Sequence, residues 1–411
     1  MGLYQFKPPA SGRMGTLWTL APVRGASLLE YGCMGHMLYA RTFLERAGIP
    51  INCRLHSTHL DETDIALGGA DRLHAAVSEI ILQDAPQVLF LLPSSVPEII
   101  GTDLSALCSE LQPKYPNTLL LPFGKGGFKS LSHQGVQDAL MRLVKFLPRK
   151  TEKTSLPTFN IIGSCADLFR FQADAQEITR VMQGTFDMQP LCVLTSDTSV
   201  EKIREMGGAH INLVLRREGA PAAKQLQKQF GTPYLPGRPY GIRGTLQWIQ
   251  SIAELLHILP DRRFLDSQKA ESDRILGSAL PMLRYRVRQS AEKMLLSVGG
   301  HADVVRGVLD YGCSELSLPR GTCWCDCPDM ADGEISYLTE EQWTGAIQKQ
   351  KGGLLMASGE ALTFAGHGDT LQISNPDSRW RLNPYEPPFV GFRGALHLLD
   401  LWVNKSFQDQ E

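Results

Sequence analysis

Short, continuous apolar segments recur along this chain, and they constrain its fold more than any other feature. Residues 88–92 read Val-Leu-Phe-Leu-Leu and end at Pro93. Similar segments lie at residues 118–121, 160–162, 191–195, 211–215 and 294–298. Such continuous segments are typical of parallel strands that are covered by helices on both faces. Helical patterns separate them at residues 166–183, 199–206, 245–259 and 302–311. The alternation predicts an α/β fold with parallel sheets.

Two polar stretches divide this alternating series into three parts. Residues 148–155 are polar and charged and precede a new strand at Phe159, and residues 259–263 precede a long helical stretch. Glycine follows a strand and precedes a helix at Gly163 and again at Gly299. We therefore predict three similar α/β domains, at residues 1–150, 151–265 and 266–411, the third of them with a C-terminal helix.

The charge balance is nearly even, with 41 basic and 43 acidic residues. It gives no indication of a nucleic acid or an anionic membrane surface as partner. The sequence from Met1 shows no apolar core of signal-peptide length, and no segment reaches the roughly 18 to 20 apolar residues that cross a bilayer. A cytoplasmic location is expected. Its nine cysteines are then reduced thiols or metal ligands rather than disulfides.

The densest group of cysteines is the Cys-x-Cys-x-Cys segment, formed by Cys323, Cys325 and Cys327. Alternate residues of an extended segment point to one face, so three thiolates are predicted on the same side. Such a group can bind zinc, copper or an iron–sulfur cluster. The spacing differs from the Cys-x-x-Cys of tetrahedral sites, and a reduced surface loop is the alternative.

Two pairs of basic residues are candidates for binding a substrate carboxylate. Arg238 and Arg243 precede a predicted helix, whose amino end favours anions. Lys125 and Lys129 flank a Gly-Gly pair, which places flexible backbone between two positive charges. Ordinary turns with solvated charges are the alternative in both places.

Several phrases, in order along the chain, resemble the nitrogenase component 1 superfamily, which includes cofactor-assembly scaffolds and tetrapyrrole-reducing enzymes. They lie at residues 15–21 with 31–36, at 57–69, 97–103, 126–135 and 160–163, and at 388–395. The resemblance implies three Rossmann-like domains around a shared cleft, the third one shortened. It also implies an oligomer, either a homodimer or a pair with a paralogous sister subunit, an ATP-dependent iron–sulfur reductase as electron donor, and an iron–sulfur cluster.

The cysteines that hold this cluster in the family are absent from the matching positions. These positions fall near Ala10 or Ser11, on His36 and near Ser95. Cys33 lies in the same turn as His36, so a Cys33/His36 pair from each subunit of a homodimer would supply four metal ligands. The alternative is a small buried thiol beside a turn histidine.

The ligands of the nitrogenase active-site cofactor are missing as well. The family's cysteine position falls within residues 211–216, which contain no cysteine, and no histidine occurs at residues 383–389. The chain is therefore not expected to reduce dinitrogen. Three hypotheses follow: an oxidoreductase component with a small or tetrapyrrole substrate, a non-enzymatic scaffold for cluster assembly, or a metal-free structural partner of a catalytic sister subunit.

Overall fold

The computed structural model describes residues 10–46, 48–124, 130–350, 352–366, 369–374 and 387–405. Its first part is built on a parallel sheet of four strands in the order β2-β1-β3-β4. Its elements are α1 (Gly12–Leu20), β1 (Ala26–Tyr31), α2 (Met34–Arg46), β2 (Arg54–Ser57), α3 (Glu62–Leu67), α4 (Ala70–Asp84), β3 (Val88–Pro93), α5 (Ser95–Ile99), α6 (Leu104–Leu111), β4 (Leu119–Pro122) and α7 (Ser132–Phe146). Every residue of β1 and β3 is buried, as expected for strands with helices on both faces.

The second part repeats this arrangement with a parallel sheet in the order β6-β5-β7-β8. Its elements are β5 (Thr158–Ser164), α8 (Phe171–Phe186), β6 (Gln189–Thr195), α9 (Val200–Arg204), β7 (Ile211–Val214), α10 (Ala220–Phe230), β8 (Tyr234–Pro236) and α11 (Ile242–Leu256). The central strand β5 is buried along its whole length.

The third part contains a parallel sheet of five strands in the order β11-β10-β9-β12-β13. Its elements are α12 (Arg262–Gln289), β9 (Leu296–Gly300), α13 (Ala302–Leu309), β10 (Arg320–Cys325), β11 (Ser336–Tyr337), α14 (Glu340–Lys349), β12 (Leu354–Ser358), α15 (Gly359–Leu362), β13 (Asp369–Ser374) and α16 (Gly391–Lys405). The predicted fold class, three α/β units with parallel sheets, is confirmed.

All three sheets share one topological feature that positions the site. In each sheet the first strand along the chain is central, and the chain then adds strands to one side before crossing to the other. Ligands of open α/β sheets bind at this reversal, beyond the carboxyl ends of the strands. A site is therefore expected beyond the carboxyl ends of β1, β5 and β9.

The helix α16 belongs to the end of the described chain but packs on the middle part. It contacts α8, α11 and α12. The backbone N–H of Phe389 donates to the buried carboxylate of Asp174 at 2.7 Å, and Gly391 N–H donates to the carbonyl of Pro239 at 2.7 Å. Burial raises the pKa of Asp174, although Arg238 and this N–H counteract the shift. The segment before α16 is thus anchored to α8 through a buried polar contact.

The domain boundaries stay predictions. Residue 150 lies in the connection between α7 and β5, whereas residue 265 lies inside α12. Within the described ranges, none of the helices combines the length and the apolar character that a membrane crossing requires.

Candidate functional site

A cavity of about 480 Å³ lies where the second and third sheets present the carboxyl ends of their strands. Residues that follow or end β5, β7, β9, β10, β12 and β13 line it, and α1, α2 and the start of α7 close it from the first part of the chain. Its position agrees with the reversal points of the two sheets. Volumes of about 300 to 1,000 Å³ are typical of sites for small organic molecules.

Aromatic side chains form two walls of this cavity. On one wall Trp324 and Trp343 stack with ring centroids 6.0 Å apart and an interplanar angle of 5°. On the other wall Trp18 and Phe43 lie with centroids 6.1 Å apart. The Trp324 ring packs on the backbone of Gly299, where an added Cβ would lie 1.9 Å from a ring carbon. A glycine is therefore required for this wall to form.

A buried ion network closes the cavity between the second and third sheets. The Arg216 guanidinium donates to both carboxylate oxygens of Asp167, at 2.6 and 2.7 Å, and to Glu218 at 2.8 Å. Side-chain exposure is only 1% for Arg216 and 2% for Glu218. Burial alone would raise the pKa of Glu218, but the charge of Arg216 outweighs it and holds that pKa well below its usual range. The guanidinium is thus paired with carboxylates within the protein.

His301 extends the network across the two sheets. Its Nδ1 accepts the backbone N–H of Asp303 at 3.2 Å, which leaves Nε2–H to donate to Glu218 at 2.9 Å. The neighbouring Arg217 binds Asp303 through two of its guanidinium nitrogens, at 2.6 and 2.8 Å. These contacts fix the end of β7 against the start of α13.

A second polar group lies in the cavity wall. The imidazole of His133 donates from Nε2 to the carboxylate of Asp329 at 2.7 Å, and the thiol of Cys327 lies in the same group. Burial, with Asp326 and Asp329 nearby, raises the pKa of the Cys327 thiol. Both His133 and Cys327 line the cavity.

Cys33 lies between β1 and α2, and His36 lies in the first turn of α2; neither lines this cavity. Cys33 is half-buried and His36 is exposed, and the backbone N–H of His36 donates to the carbonyl of Cys33 at 3.2 Å. The side chain of Arg13 donates to the carbonyl of His36 at 3.1 Å, so α1 holds this turn. Ser94, which follows β3, packs directly on Gly32. The turn and α5 therefore form one surface beyond the carboxyl ends of β1 and β3.

This surface carries exposed apolar side chains. Met34, Leu38, Ile99 and Ile100 are between 48% and 69% exposed. Groups of large apolar residues at a surface are typical of protein–protein interfaces. We call this surface, with Cys33 and His36, the Cys33 face.

Comparison with known proteins places the chain in a family. The model of the nitrogenase component 1 type oxidoreductases matches residues 11–307. The chain belongs to this family. The sequence resemblance that predicted it is confirmed.

Individual relatives are distant. The nitrogenase iron-molybdenum cofactor biosynthesis protein NifE of Clostridium pasteurianum is 27% identical over 295 residues, which are 70% of this chain and 62% of that protein. A light-independent protochlorophyllide reductase component of Chlorobium phaeobacteroides is 26% identical over 200 residues, 48% of this chain and 37% of that protein. The chain thus spans less than two thirds of these relatives. The solved structure "Nitrogenase Cp1 at pH 6.5" has a TM-score of 0.80 at 16% identity, covering 100% of this chain and 94% of that one, and shows the shared fold.

Against this family background, the position of Arg216 is informative. The family's cofactor cysteine was expected within residues 211–216, at the end of β7. The structure places the paired guanidinium of Arg216 there, at the cavity wall, with Asp167 and Glu218 around it. Arg216 thus lies at the end of the stretch in which the sequence resemblance predicted the cofactor cysteine, and this correspondence stays a prediction.

The structure separates the members of the Cys-x-Cys-x-Cys segment. Cys325 lies in the apolar core and its thiol donates to the carbonyl of Cys327 at 3.3 Å. Cys323 is half-buried nearer the start of β10, where its thiol lies 3.6 Å from the carbonyl of Gly321. Of the three cysteines only Cys327 lines the cavity. Whether this segment binds metal stays a prediction.

The predicted substrate-binding arginines also lie apart. Arg238 is buried, with Nη2 3.5 Å from Asp174. Arg243 donates to the carbonyl of Ser314 at 2.6 Å, and the amino end of α11 already binds the carboxylate of Glu315 through two backbone N–H groups. Neither arginine lines the cavity. Lys125 and Lys129 lie outside the described residues.

Sequence reasoning missed the aromatic walls and the ion network. Their members come from segments far apart in the chain, so no local spacing signals them. The one available signal was the clustering of tryptophan in the last third, which contains four of the six, Trp324 and Trp343 among them.

Proposed function

We propose that this chain is a nitrogenase component 1-like oxidoreductase subunit that reduces a planar organic substrate, of the tetrapyrrole class or smaller, and not dinitrogen. Electrons would come from an ATP-dependent iron–sulfur reductase. One observation carries the proposal: the cavity has two aromatic walls. A paired arginine in the stretch where a metal-cofactor thiolate was expected supports it.

The cavity chemistry supports a ring-containing ligand. Aromatic pairs contribute about 0.5 to 1.5 kcal/mol beyond the area that they bury, and Trp343 and Phe43 present such surfaces from the two walls. Two further lining residues, His133 and His301, carry imidazoles that are hydrogen-bonded to the carboxylates of Asp329 and Glu218. Aromatic walls with a few fixed polar groups suit an organic substrate that carries a ring.

The Cys33 face fits an iron–sulfur cluster only if a second subunit completes the site. It offers one thiol, from Cys33, and one imidazole, from His36, whereas such clusters take four ligands. The exposed apolar side chains around Cys33 support a subunit contact there. When bound, the cluster would pass electrons to the chain; Cys33 and His36 would hold it, and the partner would be a second copy or a paralogous sister subunit.

The test is anaerobic turnover. The purified protein is mixed with an ATP-dependent iron–sulfur reductase, ATP and a tetrapyrrole, and the tetrapyrrole absorption spectrum is followed. We expect an ATP-dependent spectral change that Trp343→Ala reduces about 5-fold, since it removes a stacking surface worth roughly 1 kcal/mol. Tyr285→Ala is the control, because Tyr285 is 60% exposed on α12, outside the cavity. Equal turnover by the two variants would contradict a cavity-bound substrate.

The similarity to NifE, which is named as a cofactor biosynthesis protein, supports a second function: a scaffold that holds a metal cluster during assembly. A scaffold would bind iron and sulfide and release the cluster to an acceptor without catalytic turnover. Iron and sulfide content after anaerobic purification separates both functions from a metal-free structural partner.

A further inference from the structure

The cavity wall brings together an imidazole, a thiol and a carboxylate. One ligand atom from each of His133, Cys327 and Asp329 lies within 4.8 Å of the other two. Nitrogen, sulfur and oxygen donors in one group are typical of zinc sites, which use histidine, cysteine and carboxylate ligands.

The group is held by ordered elements from distant parts of the chain. His133 is the second residue of α7, whereas Cys327 and Asp329 follow β10 in the third sheet. Cys327 is 4% exposed and His133 is 9% exposed. The Nε2 atom of His133 lies 2.7 Å from the carboxylate of Asp329, so Nε2 is the nitrogen that faces the group, and a metal ion there would replace the proton that Nε2 donates to Asp329.

A second carboxyl group lies near the thiol. Asp326 lies beside Cys327 and lines the cavity, which adds a carboxyl group to that of Asp329. The guanidinium of Arg216, in the cavity wall, is hydrogen-bonded to Asp167 and Glu218 and therefore does not neutralise the carboxyl groups of Asp326 and Asp329.

We propose that His133, Cys327 and Asp329 bind one Zn²⁺ ion in the cavity wall. Because His133 and Cys327 line the cavity, the fourth position of the metal would face it. Three protein ligands with one open position is the pattern of zinc sites that bind a substrate or a water molecule. The ion would also join α7 to the third sheet. The proposal does not depend on electron transfer at the Cys33 face.

The proposed site differs from a three-cysteine site in a way that can be measured. It needs Cys327 but not Cys323, whose thiol lies near the carbonyl of Gly321 within β10. Cys323→Ala is therefore the matched control for Cys327→Ala. Both variants are made in a Cys33→Ala background, which removes the thiol of the Cys33 face.

Metal binding is measured with Co²⁺ as a spectroscopic substitute for Zn²⁺, followed by competition with Zn²⁺. We expect one Co²⁺ per chain, with a sulfur-to-cobalt charge-transfer band and the visible bands of tetrahedral coordination. Cys323→Ala should keep this spectrum and Cys327→Ala should lose the charge-transfer band. Loss of outer contacts alone weakens metal sites about 10- to 100-fold, so His133→Ala and Asp329→Asn should weaken binding more than about 100-fold.

Melting curves show whether each variant is folded. If Cys327→Ala does not fold, His133→Gln serves instead, because it replaces the imidazole with a neutral polar side chain of similar length and should likewise weaken Co²⁺ binding. The proposal is overturned if the full chain binds no Co²⁺, or if the charge-transfer band persists in Cys327→Ala. It is equally overturned if Cys323→Ala, rather than Cys327→Ala, abolishes the band.

Discussion

Replacing Arg216 with methionine should destabilise the protein by about 3 to 5 kcal/mol. Arg216 makes three hydrogen bonds to carboxylates, at 2.6, 2.7 and 2.8 Å. Hydrogen bonds to charged groups contribute about 1.5 to 3 kcal/mol each, so simple addition would overestimate the loss at about 4.5 to 9 kcal/mol. Glu218 keeps its contact with His301, and Asp167 is 12% exposed and can bind water. The remaining cost is that of leaving one member of a buried pair without its partner, about 3 to 5 kcal/mol.

Arg217→Met is the control, because it makes the same substitution one residue later. Arg217 also binds a carboxylate through two nitrogens, but its side chain is 39% exposed and that of Asp303 is 26% exposed. Pairs with this exposure contribute about 0 to 1 kcal/mol. Urea unfolding followed by tryptophan fluorescence gives both values, because Trp324 and Trp343 report on the adjacent wall. If Arg216→Met shifts the unfolding midpoint no more than Arg217→Met does, the network does not stabilise the fold as argued.

Further predictions concern pH, packing and metal. The folded-state pKa of Glu218 is depressed, so the ionised carboxylate contributes its full stabilisation above about pH 4.5. This stabilisation is lost as the pH falls through the lowered pKa. The difference in unfolding free energy between wild type and Glu218→Gln should therefore shrink in acid, and a constant difference would refute the pairing. Gly299→Ala should displace the Trp324 ring, cost about 1 to 3 kcal/mol and change the tryptophan fluorescence, which an unchanged spectrum would contradict. After anaerobic reconstitution, Cys33→Ala should lose iron and its visible absorbance, while a triple Cys→Ser change in residues 323–327 should keep them; the reverse result would move the cluster to that segment. The purified complex should form no ammonia from dinitrogen, and its formation would disprove the argument from the missing cofactor ligands.

The fold was predictable because its signals are local. The apolar segments at residues 88–92, 160–162 and 211–215 fall within β3, β5 and near β7, where burial on both faces demands continuous apolar sequence. β1 was not predicted, since it carries Ser27 and Glu30 among its apolar residues. Both polar side chains are buried, and Glu30 is paired with Arg13 of α1. The burial of Glu30 in β1 is explained only by its tertiary contact with Arg13, which the local sequence does not reveal.

The cavity was not predictable for a different reason. The Cys-x-Cys-x-Cys segment suggested three sulfurs on one face, but the strand β10 ends at Cys325, and the chain turns before Cys327. The thiol of Cys327 therefore does not follow the alternation of the strand. It lies near His133, which is 194 positions away in the sequence and in a different part of the fold. Sequence spacing describes neighbours within an element and carries no information about which elements meet.

The packing of α16 has a consequence for how the chain is made. The middle sheet is synthesised early, yet α8 and α11 both contact α16, at residues 391–405. During translation these contacts form only after the third sheet has been synthesised, since α16 follows it in the chain. The exposed apolar surface of the middle domain would then be a binding site for chaperones on the nascent chain, and ribosomes stalled before residue 391 should carry an incompletely folded middle domain.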